Sequence, residues 1–186
     1  MSMGAIKGPV IAVVGPSGVG KDSLMEALRR ADPGIKLMRR VITRAPEAGG
    51  EDYSPVTEAE FLDLARNGAF ALHWPAHGLH YGIPKEIESL RAGATAVLVN
   101  LSRGVLLEAQ SAFDDFRVLS VTALPEVLAS RLAARGREDA AEVQRRLARA
   151  GKPLPVGLTK VHEIDNSGDL DAAVMAARAA LQPVRA

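Results

Sequence analysis

Apolar and polar positions fall into short blocks whose period switches between that of a strand and that of a helix. Residues 10–14 (VIAVV) are a β-branched run, as expected of a strand buried on both faces. From Ser23 to Arg30 the period changes: Leu24 and Leu28 stand one helical turn apart among charged residues, which predicts a helix. Asp32-Pro33-Gly34 ends it. A second strand is expected over 35–43, followed by a polar, Gly- and Pro-bearing loop over 44–55. Thr57 and Glu60 form a capping box, opening a helix that carries Phe61, Leu62 and Leu64 and closes at Asn67-Gly68. Residues 69–83 alternate irregularly, as short strands of a small inserted unit would. Pro84 suits the first turn of a helix running to about Ala92. Further strands are expected at 96–99, 116–121 and 160–164, and further helices after Ser102 and over 126–135, 140–150 and 169–181. Strands alternating with helices predict an α/β fold with a mostly parallel sheet.

Composition narrows the function classes. A chain of 186 residues fits one domain with a real core. Its net charge of +1 comes from 23 basic and 22 acidic residues, which gives no reason to expect nucleic-acid binding. Without cysteine there is no disulfide framework and no thiolate metal site, which is compatible with a cytosolic enzyme. The N-terminus lacks the apolar core of a signal peptide, and no apolar run approaches the ~18 residues of a membrane span.

Between the first strand and the first helix lies Gly15-Pro16-Ser17-Gly18-Val19-Gly20-Lys21-Asp22, a phosphate-binding P-loop with one departure. The glycines let backbone N–H groups turn toward an anion, and the helix N-terminus adds partial positive charge. Lys21 can reach the β- and γ-phosphates of a triphosphate. The usual Ser or Thr after the lysine is replaced by Asp22, and Ser23 follows.

Phosphoryl transfer needs two anionic substrates held in line, a metal ion, and cations that take up charge. Arg39, Arg40 and Arg44 end a strand, and Tyr53 follows; guanidinium forks and a phenol suit phosphate oxygens. The plain alternative is a solvated basic strand end. Arg131 and Arg135 lie one helical turn apart, before Gly136 and Arg137, and Arg145 and Arg146 come next. A helix–turn–helix with these arginines reads as a lid over ATP. The alternative is an Arg/Ala-rich surface helix. His73, His77 and His80 stand close in sequence, but Pro75, Gly78 and Gly82 argue against the helix that would make zinc ligands of them.

These segments, in this order, resemble the guanylate kinase family and, within it, the bacterial ribose 1,5-bisphosphate phosphokinases. The resemblance covers residues 9–181. It is carried by GPSGVGKDS at 15–23, VITR at 41–44, GLHYG at 78–82, VLVNLSR at 97–103 and RLAARGR at 131–137. It implies a P-loop NTPase three-layer sandwich in one domain, with a parallel core sheet. A small acceptor-binding insert is implied at about 35–95 and a short helical lid at about 126–150. It implies transfer of a phosphoryl group from ATP to ribose 1,5-bisphosphate, giving 5-phosphoribosyl 1-diphosphate (PRPP) and ADP. The implied setting is phosphonate breakdown in the cytoplasm of a bacterium. By the same resemblance Arg40, Arg44, Tyr53 and Tyr81 hold the acceptor. Lys21 neutralises the transferring group, Arg131, Arg135 and Arg146 close over it with Arg137 beside them, and Asn166 lies beside the adenine.

Two departures separate the chain from a guanylate kinase. The carboxylates that read guanine would fall near Leu72 and in Val99-Asn100-Leu101, where none occurs. A site stripped of its hydrogen-bond acceptors discriminates against the base it would have read. The strand that ends at Asn100 also lacks the acid that commonly helps hold Mg²⁺. Asp22 is therefore a candidate Mg²⁺ ligand, with capping of the P-loop helix as the alternative. Other readings are a guanylate or other nucleoside monophosphate kinase, and a guanylate-kinase-like interaction module without catalysis. An intact Gly15, Gly18, Gly20 and Lys21 disfavours the last.

Overall fold

The computed structural model describes residues 6–48, 51–136 and 139–182. Strand β1 (Val10–Val14) leads through the P-loop into helix α1 (Lys21–Ala31). Then follow β2 (Ile35–Leu37), β3 (Val41–Ile42), β4 (Ser54–Pro55), α2 (Glu58–Arg66), β5 (Phe70–Ala76), β6 (Leu79–Pro84) and the short turn α3 (Ile87–Leu90). The chain continues as β7 (Ala96–Asn100), α4 (Leu106–Ala112), β8 (Phe116–Thr122), α5 (Pro125–Ala134), α6 (Ala140–Ala150), β9 (Val161–Asp165) and α7 (Leu170–Leu181).

The central sheet has five parallel strands in the order β2-β7-β1-β8-β9. Because β1 is central, it is buried on both faces. Ile11 and Val13 point to the side covered by Leu24, Leu28, Ala173 and Ala177 of α1 and α7. Val10, Ala12 and Val14 point to the side covered by Leu106 and Ala109 of α4. This is the three-layer α/β sandwich expected from the alternation of elements. Burial of each such aliphatic side chain contributes roughly 1.5–3 kcal/mol, and replacing Ile11 by Ala is expected to cost about 2–5 kcal/mol.

A second sheet, ordered β4-β3-β6-β5, is mostly antiparallel and shares the α4-side core through Ile42, Leu72, Trp74, Tyr81 and Ile83. Two expectations are corrected here. The single strand over 35–43 is two strands in different sheets. Met38 donates its N–H to Leu98 at the rim of the central sheet, Arg39 turns outward to Asp52, and Arg40 turns inward to Glu51, so the chain changes sheet between them. Pro84 opens no helix; it ends β6 opposite Phe70, and the helical turn after it is confined to Ile87–Leu90. The capping box at Thr57 and Glu60 is present, with both reciprocal bonds. No helix among the described residues is long and apolar enough to cross a membrane.

Candidate active site

The P-loop turns because two of its residues are left-handed: Gly18 at φ 84° and Gly20 at φ 95°. A Cβ on Gly20 would also lie 2.7 Å from Nδ2 of Asn166. Helix α1 then starts at Lys21 and points its N-terminus at the loop. Gly15, Pro16, Ser17, Val19 and Ser23 complete the loop and the first turn of α1.

Lys21 folds back on the loop, its Nζ donating to the carbonyls of Gly15 at 2.9 Å and Pro16 at 3.3 Å. Burial lowers its pKa to about 8; Asp22 and Glu51 oppose that shift, and Arg40 and Arg103 add to it. Four charged side chains from separate segments therefore act on this amine. Asp22 sits in the first turn of α1 with its own surface exposed. Dehydration of its surroundings, then the charge of Glu51, raises its pKa; Lys21, Arg40 and Arg135 pull it down. The N-cap position belongs to Gly20 and carries no side-chain cap, so Asp22 does not cap α1 by hydrogen bonding. A carboxylate beside a P-loop, with no hydrogen-bond donor among the described residues, suits Mg²⁺, which takes one or two carboxylates together with phosphate oxygens and water. Among the described residues, no three His, Cys, Asp or Glu side chains gather as a metal cluster.

The arginines expected in a lid are placed differently from one another. Arg131 ties the loop, donating to the carbonyls of Val19 at 3.2 Å and Asn166 at 2.8 Å. Arg135 is the exposed C-cap of α5, close enough to Asp22 to act on its carboxyl. Arg146, on α6, donates to Oγ of Ser17 at 2.6 Å, joining that helix to the P-loop. Arg137 lies outside the described residues. Asn166 is buried, its Nδ2 donating to the carbonyl of Val19 at 2.7 Å, while its Oδ1 is a buried acceptor with no partner among the described residues. That acceptor can take an N–H donor such as an adenine amino group.

The expected acceptor residues fall into two pairs. Arg40 lies 4.9 Å over the ring of Tyr81, which stacks on Trp74 at 5.5 Å. Arg40 is also held by Glu51: Nε to Oε2 is 3.1 Å, and a second bond joins Nη2 to Oε1. The two side chains are 8% and 13% exposed, so this is a buried ion pair. Arg44 instead lies 5.4 Å over Tyr53, whose hydroxyl donates to the carbonyl of Ala45 at 2.5 Å. Arg44 lines a cavity of about 440 Å³ with Thr43, Pro55, Thr57 and His80. His80 and His73 stand near the ring of Phe61, and His77 forms the β5–β6 turn at φ 52°.

Sequence reasoning missed Glu51 and Arg103. Glu51 gave no local signal, since its partner is eleven residues away. Arg103 stood in the VNLSR stretch, as a lone charge just past a buried strand, and that signal could have found it.

No protein-family model matches the chain. Over 180 residues it is 72% identical to the ribose 1,5-bisphosphate phosphokinase PhnN of Ruegeria sp. (strain TM1040), covering 97% of this chain and 95% of that protein. The chain belongs to the ribose 1,5-bisphosphate phosphokinase family. A second member, from Pseudomonas paraeruginosa (strain DSM 24068 / PA7), is 47% identical over 91% of this chain and 92% of its own. Among solved structures, a guanylate kinase from Anaplasma phagocytophilum superposes with a TM-score of 0.59 at 21% identity, covering 94% of this chain and 83% of that one. That likeness establishes the shared fold. The family's kinase chemistry calls for a nucleotide phosphate site.

Proposed function

We propose that this protein transfers the γ-phosphoryl group of ATP to ribose 1,5-bisphosphate, giving PRPP and ADP, in the cytoplasm and in the service of phosphonate breakdown. The observation that carries the acceptor is the end of β7. It offers Asn100, Leu101, Ser102 and Arg103, with no carboxylate to read a guanine, in a chain 72% identical to a protein named for the sugar bisphosphate.

An ionised oxygen of the acceptor's 1-phosphate attacks the γ-phosphorus of ATP. The new P–O bond forms as the bond from the γ-phosphorus to the β,γ-bridging oxygen breaks, and ADP leaves with that electron pair. With a second phosphate pKa near 6, as in phosphomonoesters, the attacking group needs no dedicated base at about pH 7. Lys21 releases the Gly15 and Pro16 carbonyls to meet the transferring group. Asn166 receives the adenine edge through Oδ1. Arg40 and Tyr81 form one side of the acceptor site, Arg44 and Tyr53 the other, and Arg135 and Arg146 close from α5 and α6. Arg131 holds the loop that Lys21 and Asn166 share. Asp22 would hold Mg²⁺, whose charge neutralises the β- and γ-phosphates when it is bound.

Phosphorus NMR of a reaction with ATP, Mg²⁺ and ribose 1,5-bisphosphate tests the proposal. A new diphosphate resonance that is split by the sugar and distinct from ADP is expected; its absence while ATP remains intact would refute it. Asp22→Asn is expected to shift the Mg²⁺ requirement to higher concentration. Full activity at unchanged Mg²⁺ dependence would remove Asp22 from the metal site.

A further inference from the structure

Arg103 opens the short turn that follows β7 (Arg103–Val105). Its terminal nitrogens donate to the carbonyls of Arg149 and Ala150, at 3.0 and 3.2 Å, the last residues of α6. Among the described residues no carboxylate pairs with it, and dehydration alone acts on the guanidinium, lowering its pKa. A half-buried cation with only carbonyl partners lacks a counter-charge. Arg40, the other arginine that acts on Lys21, has Glu51; Arg103 has no such partner among the described residues. Arg103 also lines a groove of about 430 Å³ with Pro16, Ser120, Thr122, Leu147, Lys152 and, from β9, Glu163, between the P-loop, β8, β9 and α6. Its neighbour Ser102 accepts a hydrogen bond from Nε1 of Trp74, at 3.0 Å, so this step of chain joins the second sheet to α6.

We infer that Arg103 binds a phosphate group of the acceptor, which supplies the anion this guanidinium lacks. The inference rests on the sugar bisphosphate reading proposed above. Such an acceptor carries a phosphate at each end, and the chain offers guanidinium forks on separate elements to meet them: Arg44 beside Tyr53, and Arg103 in the groove that Pro16 of the P-loop also lines. Because Arg103 also holds the end of α6, whose Arg146 reaches Ser17, a phosphate seated there is felt by the helix that touches the P-loop.

Steady-state kinetics of Arg103→Gln and Arg103→Lys, with each substrate varied in turn, test this. In Arg103→Gln the KM for ribose 1,5-bisphosphate rises about 10- to 100-fold, the factor carried by one charge-assisted hydrogen bond, while the KM for ATP stays within about twofold. Arg103→Lys recovers part of the loss and carries the same comparison if the glutamine variant does not fold. Inhibition by ribose 5-phosphate and by ribose 1-phosphate shows which end Arg103 meets, since only that compound loses affinity in the variants. An unchanged KM for the bisphosphate, or an equal rise for both substrates, overturns the inference, as does unchanged inhibition by both monophosphates. A wild type that fails to use the bisphosphate overturns the acceptor reading instead.

Discussion

Around the P-loop, cations rest on main-chain carbonyls: Lys21 on Gly15 and Pro16, and Arg131 on Val19 and Asn166. In and beside the second sheet they rest on acids and rings: Arg40 on Glu51 and Tyr81, Arg39 on Asp52, and Arg44 on Tyr53. A carbonyl is a partial charge that a phosphate oxygen readily outcompetes, so Lys21 is positioned in advance and can exchange its carbonyls for an anion. A carboxylate in a buried bidentate pair is not displaced so easily. On the proposed reading, the second sheet would offer an acceptor the donors left over after internal pairing, held in fixed orientation. Substitutions should separate the two regions: near Glu51 they cost stability, and near the P-loop they cost rate.

The largest effect is expected from Arg40→Ala, which strands Glu51 in a buried position and lowers stability by about 3–5 kcal/mol. Chemical denaturation of wild type and variant measures it, and a change below about 1 kcal/mol would dissolve the contrast. Lys21→Ala comes next. It lowers kcat by about 10²–10³-fold with the melting temperature nearly unchanged, because the amine is costly to bury and its partners are solvent-competent carbonyls. Arg131→Ala lies between the two classes. Losing two charge-assisted bonds costs about 1.5–3 kcal/mol and loosens the loop, so ATP affinity and melting temperature fall together.

The smallest effect tests a region remote from both. Asp115, at the foot of β8, accepts from Arg117 at 3.0 Å and Lys160 at 2.9 Å. Its pKa is lowered from 3.8, first by the Arg117 bond. A depressed folded pKa means stability present above 3.8 and lost as the pH falls through the lower folded value. Asp115→Asn should remove that acid-side slope, by less than about 1 kcal/mol because the site is partly exposed, and leave kcat untouched.

The two regions also differ in how far they could be read from sequence. The P-loop is contiguous: Gly18, Gly20 and Lys21 stand within a few residues of one another, so spacing alone placed the strand–loop–helix. The capping box at Thr57 was legible for the same reason. The second sheet is built from partners far apart in the chain. Nothing near residue 38 announced that β2 would stop and β3 would join a different sheet, because the switch is made by Arg39 and Arg40 turning to Asp52 and Glu51. Pro84 has a φ that suits a helix start and a strand end equally. The opposite strand at Phe70 decided between them. Arg131 was expected over the transferring group as a lid arginine. Its bonds to Val19 and Asn166 cross 112 and 35 residues, and no local pattern encodes them.

The central claim is that a guanylate-kinase-like donor site serves a sugar bisphosphate acceptor. The most direct measurement is ADP release by the wild-type protein with ribose 1,5-bisphosphate, GMP, AMP and ribose 5-phosphate in parallel. A kcat/KM for ribose 1,5-bisphosphate at least about 10²-fold above that for GMP is expected, as for a site lacking the groups that bind a base. Turnover of GMP with none of ribose 1,5-bisphosphate would contradict the account.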